Sequence, residues 1–283
     1  MRSLLFVPAD DPRKIAKAIA AGADAVILDL EDSVAAERKG PAREHAAATL
    51  ASPARAGAPR IIVRVNGLES GETAADLAAV MPHRPGALML PKVEGGGDVL
   101  TLARMAGADV SVIAIATETA RALFRMESYG EAAPTLVALA WGIEDLSADL
   151  GATSMRDDDG AFTDTARLAR TLCLVAAKAS GVEAIDGVYT DFRDEAGLIA
   201  ECAAAARDGF TGKLAIHPAQ VEPINRAFTP SPRDVDAAHR VVAAFAAAGD
   251  PGVIALEGRM LDRPHLERAR GVIARAAAAV RRT

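Results

Sequence analysis

Short apolar runs in this chain repeatedly end on, or lead straight into, a side chain that can do chemistry. AVILD closes on Asp29, with Glu31 and Asp32 just beyond; RIIVR closes on Arg64; ALMLP leads into Lys92; VSVIAIATE ends in Glu118. TLVALAWG is followed by Glu144 and Asp145, AIDGV carries Asp186, and KLAIH ends in His217. Two carboxylates, with water and substrate oxygens completing the shell, are the usual way to hold Mg2+, and Mn2+ suits the same hard donors. Glu118 and Asp145 are such a pair. Either would also suit the first turn of a following helix, where negative charge is favoured. Arg64 offers a planar fork that cannot lose its charge and that fits a carboxylate or a developing oxyanion. It would also pair with the acids after Asp29, and the two uses are compatible. A desolvated Lys92 would be a Schiff-base nucleophile, but acids on either side hold its proton on and favour an ion pair. His217, before Pro218, reads as a strand-end histidine with its nitrogens satisfied. The five histidines show no ligand spacing, so zinc is not indicated. Nor is a serine hydrolase, since no G-x-S-x-G turn is present.

For these residues to meet, the runs must be strands that converge. They lie at 3–8, 24–29, 60–64, 87–91, 110–118, 135–142, 184–188 and 213–217, and are continuous in Val, Ile and Leu, as strands buried on both faces are. Between them the spacing predicts helices over 12–22, 41–51, 98–107, 164–180 and 194–209, several closing on Gly. This alternation fits a (β/α)8 TIM barrel, with a doubly wound parallel sheet as the competitor. Two features favour the barrel. No Gly-rich dinucleotide fingerprint follows an early strand; Gly95, Gly96 and Gly97 read instead as a loop before a helix capped by Asp98. The reactive side chains also fall at strand C-terminal ends, where barrel active sites lie. Residues 1–228 are read as the α/β barrel domain. Residues 229–283 form a C-terminal helical extension, with helices over 234–249 and 266–282 around the segment VIAL (253–256), suited to a lid or an oligomer arm.

Composition sets the outer limits. The 283 residues are 51% hydrophobic and carry a formal charge of −6, which excludes intrinsic disorder and gives no basic face for nucleic acid. Two cysteines, both in Ala-rich helical stretches, cannot make a disulfide scaffold. No run is long and apolar enough for a membrane span, and the first residues do not read as a signal peptide. A cytoplasmic location is the resulting expectation.

The set RSLLFVP, AVILDLEDSV, VRVN, LPKVE, TET, WGIEDLSADLG and GFTGKLAIHPAQV resembles the citrate lyase beta subunit-like proteins of the citrate lyase/malyl-CoA lyase aldolase superfamily, in order, from residue 2 to about residue 271. That resemblance implies a barrel, a homo-oligomer (trimer or hexamer), Mg2+, and carbon–carbon cleavage of a 3-hydroxy-3-carboxy acyl thioester to a 2-oxo acid and an acyl-CoA. It implies Glu118 and Asp145 as metal ligands, with Glu118 also lining the substrate pocket, and Arg64 as the substrate-binding, charge-stabilising residue. Asp29, Glu31, Asp32 and Lys92 support them. Phe6 and Lys17 match positions that approach substrate or CoA, whereas Asp11 stands where those enzymes have an arginine. GRMLDRPHLERAR resembles an M-x-D-x-P element whose acid, here Asp262, enters a neighbouring subunit's site as an acid/base. Two other outcomes fit the same fold: thioester hydrolysis of the malate synthase or thioesterase kind, and non-catalytic binding of acyl-CoA or a 2-oxo acid.

Overall fold

The computed structural model describes residues 1–53, 57–107 and 109–280. Eight parallel strands follow one another around a closed barrel: β1 (Ser3–Pro8), β2 (Ala25–Asp29), β3 (Arg60–Arg64), β4 (Ala87–Leu90), β5 (Val112–Ile115), β6 (Leu136–Ala140), β7 (Glu183–Asp186) and β8 (Gly212–Ala215). β8 pairs with β1, which excludes the open doubly wound sheet. The connecting helices are α1 (Pro12–Ile19), α2 (Lys39–Ala51), α3 (Thr73–Val80), α4 (Gly96–Ala106), α5 (Ala120–Leu123), α6 (Glu144–Leu150), α7 (Asp164–Ala179), α8 (Glu195–Asp208) and α9 (Val221–Ala227). Among the described residues, four of these nine helix starts carry a side-chain cap. Asp11 caps α1 by accepting the Arg13 N–H at 2.9 Å, and Thr119, Thr163 and Asp194 cap α5, α7 and α8. The expected Asp98 cap is not there: Gly95 occupies the cap position of α4, and Asp98 lies inside the first turn, accepting the Glu94 N–H at 2.8 Å.

Strand side chains alternate between the barrel interior and the helix layer with a step of two. Leu4, Ile27, Ile62, Met89, Ile113, Ile115, Ala140, Ile185 and Leu214 belong to the inner core. One further step of two beyond Leu4, Ile27 and Ile62 gives Phe6, Asp29 and Arg64, at the C-terminal ends of their strands. The same count puts Trp141, Asp186 and Lys213 on the outer phase, against the helices.

The compact barrel unit runs from Met1 to Asn225, and a second unit begins at Arg226, three residues before the expected boundary at 229 and inside α9. The second unit holds α10 (Pro232–Ala247), β9 (Val253–Leu256), β10 (Arg259–Asp262) and α11 (Arg263–Val280). Its strands form an antiparallel hairpin turned by Glu257 and Gly258, both at positive φ, as a two-residue turn of this hand requires. The expected final helix begins three residues earlier than position 266, and the part of it at 281–282 lies outside the described residues.

Candidate active site

Arg64 is the centre of the barrel mouth because β3 delivers it on the inward phase beside the end of β2. Its Nε and Nη2 each donate to one oxygen of Asp29 at 2.7 Å, a bidentate fork, and its Nη1 lies 2.9 Å from Glu31 Oε2. The guanidinium rests over the Phe6 ring, 4.8 Å from its centroid. A guanidinium has five N–H donors; two of them are hydrogen-bonded to Asp29, and Nη1 faces Glu31 as an ion pair. Burial alone would raise the Asp29 carboxyl pKa, but the Arg64 fork outweighs it and holds Asp29 below the usual range. Asp29 also accepts from the Ser33 hydroxyl and from the Glu31 N–H.

Glu118 and Asp145 approach from β5 and β6. Asp145 does lie in the first turn of α6, as the alternative reading expected, although α6 has no side-chain cap; Glu118 precedes α5, whose cap is Thr119. Glu118 is buried, and one of its oxygens accepts the backbone N–H of Lys92. That N–H is aimed by a left-handed backbone at Lys92, φ 54°, a conformation costly for a residue with a Cβ. The Lys92 ammonium pairs with Glu31, with Asp32 at 3.0 Å and with Asp145 at 3.5 Å. Burial would lower its pKa, but these carboxylates outweigh burial and hold it above the ordinary lysine range. A permanently charged ammonium is no Schiff-base nucleophile. Glu118 goes the other way: burial first, then the Asp145 and Glu31 charges, push its carboxyl up to about 8. Five carboxylates (Asp29, Glu31, Asp32, Glu118 and Asp145) thus share the two cations Arg64 and Lys92. Among the described residues no three of these carboxylates converge on one metal position; the pair Glu118 and Asp145, completed by water and substrate oxygens, is the part of the cluster that suits a hard divalent cation.

A buried framework holds the β2 and β3 ends in place, and sequence reasoning missed it. Lys39 Nζ donates to the carbonyls of Leu30 (2.6 Å) and Glu31 (2.9 Å) and to Asn66 Oδ1 (2.7 Å). Asn66 donates through its backbone and side-chain N–H groups to Asp76, 2.7 Å each, and Asp76 is closed by Arg43 at 2.8 Å. The available signal was Asp76 itself, which occupies the buried stripe of α3 with Thr73, Leu77 and Val80. Beside the charged cluster opens a cavity of about 710 Å3 whose lining includes Glu31, Asp32, Asn66, Lys92 and Arg121.

Other strand-end residues do not join the mouth. Asp186 faces the helix layer, because Ile185 takes the inward phase; it is buried against Lys213 (2.9 Å), Arg170 (2.8 Å) and Trp141 Nε1 (2.8 Å). His217 stacks on Phe192, centroids 4.7 Å apart, and its Nδ1 accepts the Ala219 N–H at 3.2 Å. Lys17 is exposed in the last turn of α1, and no described contact links it to the carboxylates. In the second unit, Asp262 ends β10 with its carboxylate 2.5 Å from His265 Nδ1, exposed to solvent.

Comparison with known proteins identifies the family and the fold. The model of the HpcH/HpaI aldolase/citrate lyase family matches residues 2–218. The chain is 41% identical to a citrate lyase subunit beta-like protein of Mycobacterium tuberculosis, covering 96% of this chain and 94% of that one. It is 38% identical to a (3S)-malyl-CoA thioesterase of Cereibacter sphaeroides (98% and 95%) and 36% identical to the mitochondrial citramalyl-CoA lyase of Rattus norvegicus (96% and 85%). The crystal structure of protein CitE from M. tuberculosis, in complex with magnesium, acetoacetate and coenzyme A, superposes with a TM-score of 0.81 at 39% identity, covering 98% of each chain.

Proposed function

The chain belongs to the HpcH/HpaI aldolase/citrate lyase family, and from that premise we propose that it is a Mg2+-dependent oxo-acid lyase acting on a citryl-, citramalyl- or malyl-type thioester of coenzyme A. Its products are a 2-oxo acid and an acyl-CoA, formed through a thioester enolate. The observation that supports this reading is the gathering of Glu118 and Asp145 at Lys92, one on its backbone N–H and the other 3.5 Å from its ammonium, beside an Arg64 fork fixed by Asp29. The M. tuberculosis protein, 39% identical, was crystallised in complex with magnesium, which supports a magnesium requirement here. Mn2+ would fit as well.

Glu118 and Asp145 would hold the ion, which when bound polarises and orients the carboxylate and hydroxyl oxygens of the substrate. The protein's own part is charge placement. Breaking the carbon–carbon bond leaves negative charge on the thioester oxygen, and the Arg64 donors that Asp29 does not engage would meet it. Asp29 and Glu31 stop the guanidinium from turning; Phe6 packs beneath it. Lys92 gathers Glu31, Asp32 and Asp145 without taking part as a nucleophile. Lys17 contributes positive charge toward the coenzyme. The enolate carbon then needs a proton, and Asp262 of a neighbouring copy in a homo-oligomer, a trimer or hexamer, supplies it. The M-x-D-x-P resemblance supports that role, and so does the exposure of the Asp262–His265 pair. Among the described residues no helix is long and apolar enough to cross a membrane, and two buried unpaired cysteines fit action in the cytoplasm.

Identity to a malyl-CoA thioesterase favours a second reading, in which the thioester is hydrolysed as well. A panel of malyl-, citramalyl- and citryl-CoA, assayed for 2-oxo acid and for free CoA, separates the two. A lyase releases 2-oxo acid without free CoA; hydrolysis releases free CoA; turnover of none of them contradicts both readings. Mixed oligomers of Arg64→Ala and Asp262→Ala, each inactive alone, should recover activity. No recovery despite verified subunit mixing would rule out a shared site.

A further inference from the structure

Glu118 follows β5 and Asp145 lies in the first turn of α6, and the paired ladder ends before either of them. β5 stops at Ile115 and β6 at Ala140, with the Ala116 N–H to Ala140 O bond, 2.8 Å, as the final backbone link. Beyond it the two segments are joined by side chains: Asp149 of α6 accepts the Ala120 N–H at 2.7 Å, and Thr117 bridges them directly beside Glu118. The fully buried Thr117 hydroxyl accepts the Gly142 N–H at 3.1 Å and donates to the Gly142 carbonyl at 3.2 Å. Thr117 directly precedes Glu118, and Gly142 lies three residues before Asp145. A step of two beyond Ile115 and Ala140 reaches Thr117 and Gly142, so both continue the inward phase.

Gly142 adds a second constraint, independent of the hydroxyl. A Cβ there would stand 2.7 Å from Glu118 Cγ and 3.0 Å from its Oε1. The Glu118 side chain therefore rests against the bare α-carbon of Gly142, while the Lys92 N–H holds its other oxygen. Both carboxylates must be ionised to hold a cation, and in that state they repel each other, with the Lys92 ammonium, 3.5 Å from Asp145, as the nearby positive charge. Something fixed must set their separation.

We infer that Thr117 and Gly142 form a positioning clamp that sets the spacing of the two carboxylates and thereby their affinity for a divalent cation. The inference rests on the reading of Glu118 and Asp145 as metal ligands. Thr117→Val keeps the shape of the side chain but can neither accept from nor donate to Gly142. Thr117→Ser keeps the hydroxyl. Gly142→Ala keeps the hydrogen bonds and displaces Glu118.

The test titrates MnCl2 and MgCl2 into each full-length variant by calorimetry and records metal-free melting curves alongside. Thr117→Val and Gly142→Ala should bind both ions about 10- to 100-fold more weakly, and Thr117→Ser should bind like the wild type. Glu118→Gln is the control for the underlying reading. Wild-type affinity in Thr117→Val alongside weak binding in Glu118→Gln overturns the clamp while leaving the ligands in place. Wild-type affinity in Glu118→Gln overturns the ligand reading, and the clamp with it. A residue of merely structural value would lower the melting temperature without changing affinity, and that result also overturns the clamp. If Thr117→Val does not fold, Gly142→Ala decides the question on the same criterion.

Discussion

Two groups of buried carboxylates and cations occupy opposite phases of the same barrel, and they are balanced differently. Behind β7 and β8, Asp186 is met by Lys213, Arg170 and Trp141, and Lys213 in turn by Glu201 at 2.7 Å. The charges there answer one another. Burial would raise the Asp186 carboxyl pKa, but Lys213 and Arg170 outweigh it and hold it below 3.8. At the mouth, the same residue types leave negative charge in excess, and Glu118 is pushed up to about 8. A balanced network stabilises a wall; an unbalanced one is built to receive a cation. Burial and residue type do not distinguish them. The count of compensating partners does.

The contrast is broken most strongly at Glu118. Glu118→Gln should abolish Mg2+ binding and lower turnover by about 10^3-fold or more, since a Lewis-acid metal contributes several kcal/mol, while the metal-free protein stays folded. It should also flatten a stability slope. In the wild type the folded carboxyl titrates near 8 and the free one near 4.5, so folding takes up a proton between those values. Metal-free stability therefore falls as pH rises through that window, and urea unfolding at several pH values should show the slope in the wild type and not in the variant.

The other network should respond in the opposite sense. Lys213→Met leaves Asp186 and Glu201 without their shared cation and should cost about 3–5 kcal/mol of stability, as loss of one partner of a buried ion pair does. The Mg2+ affinity of the folded protein should not change. Asp186 has a lowered folded pKa, so its contribution is complete above pH 3.8 and is lost as the pH falls through the folded value. Acid unfolding shifted to higher pH in Lys213→Met, with intact metal binding, would confirm the division. Weakened metal binding would dissolve it.

Within the mouth, the two cations should also differ. Arg64→Lys keeps a charge but loses the fork to Asp29 and should lower kcat by about 10^2- to 10^3-fold, the range for removing one oxyanion donor. Lys92→Arg should cost the least, about five-fold, as for a partly exposed ion pair. A borohydride-reducible adduct at Lys92 would overturn the ion-pair assignment.

Strand positions were legible because each run is short and apolar and several end on a charged residue; RIIVR maps onto β3 residue for residue. The phase of the strands was the missing variable. Reading the last polar residue of each run placed Asp186 at the mouth with Asp29, although Ile185 faces inward where Ile27 does, so their successors at one and two residues point to different layers. The Asp76–Asn66–Lys39 framework was hidden for a related reason. Its members are far apart in sequence and meet only because α2 and α3 pack beside the β2 and β3 ends, so no local pattern joins them. The left-handed turn at Lys92 has no sequence signal either, since Gly or Asn would be its usual occupant.

The central claim is that the excess negative charge at the mouth is matched to a divalent cation through Glu118. Calorimetric titration of Mg2+ at pH 7, in buffers of different ionisation enthalpy, counts the protons released on binding. With the Glu118 carboxyl near 8, the wild type should release about one proton per ion bound. Glu118→Gln should neither bind Mg2+ nor release a proton. Mg2+ binding with no proton release, or equal binding by the variant, would contradict the account.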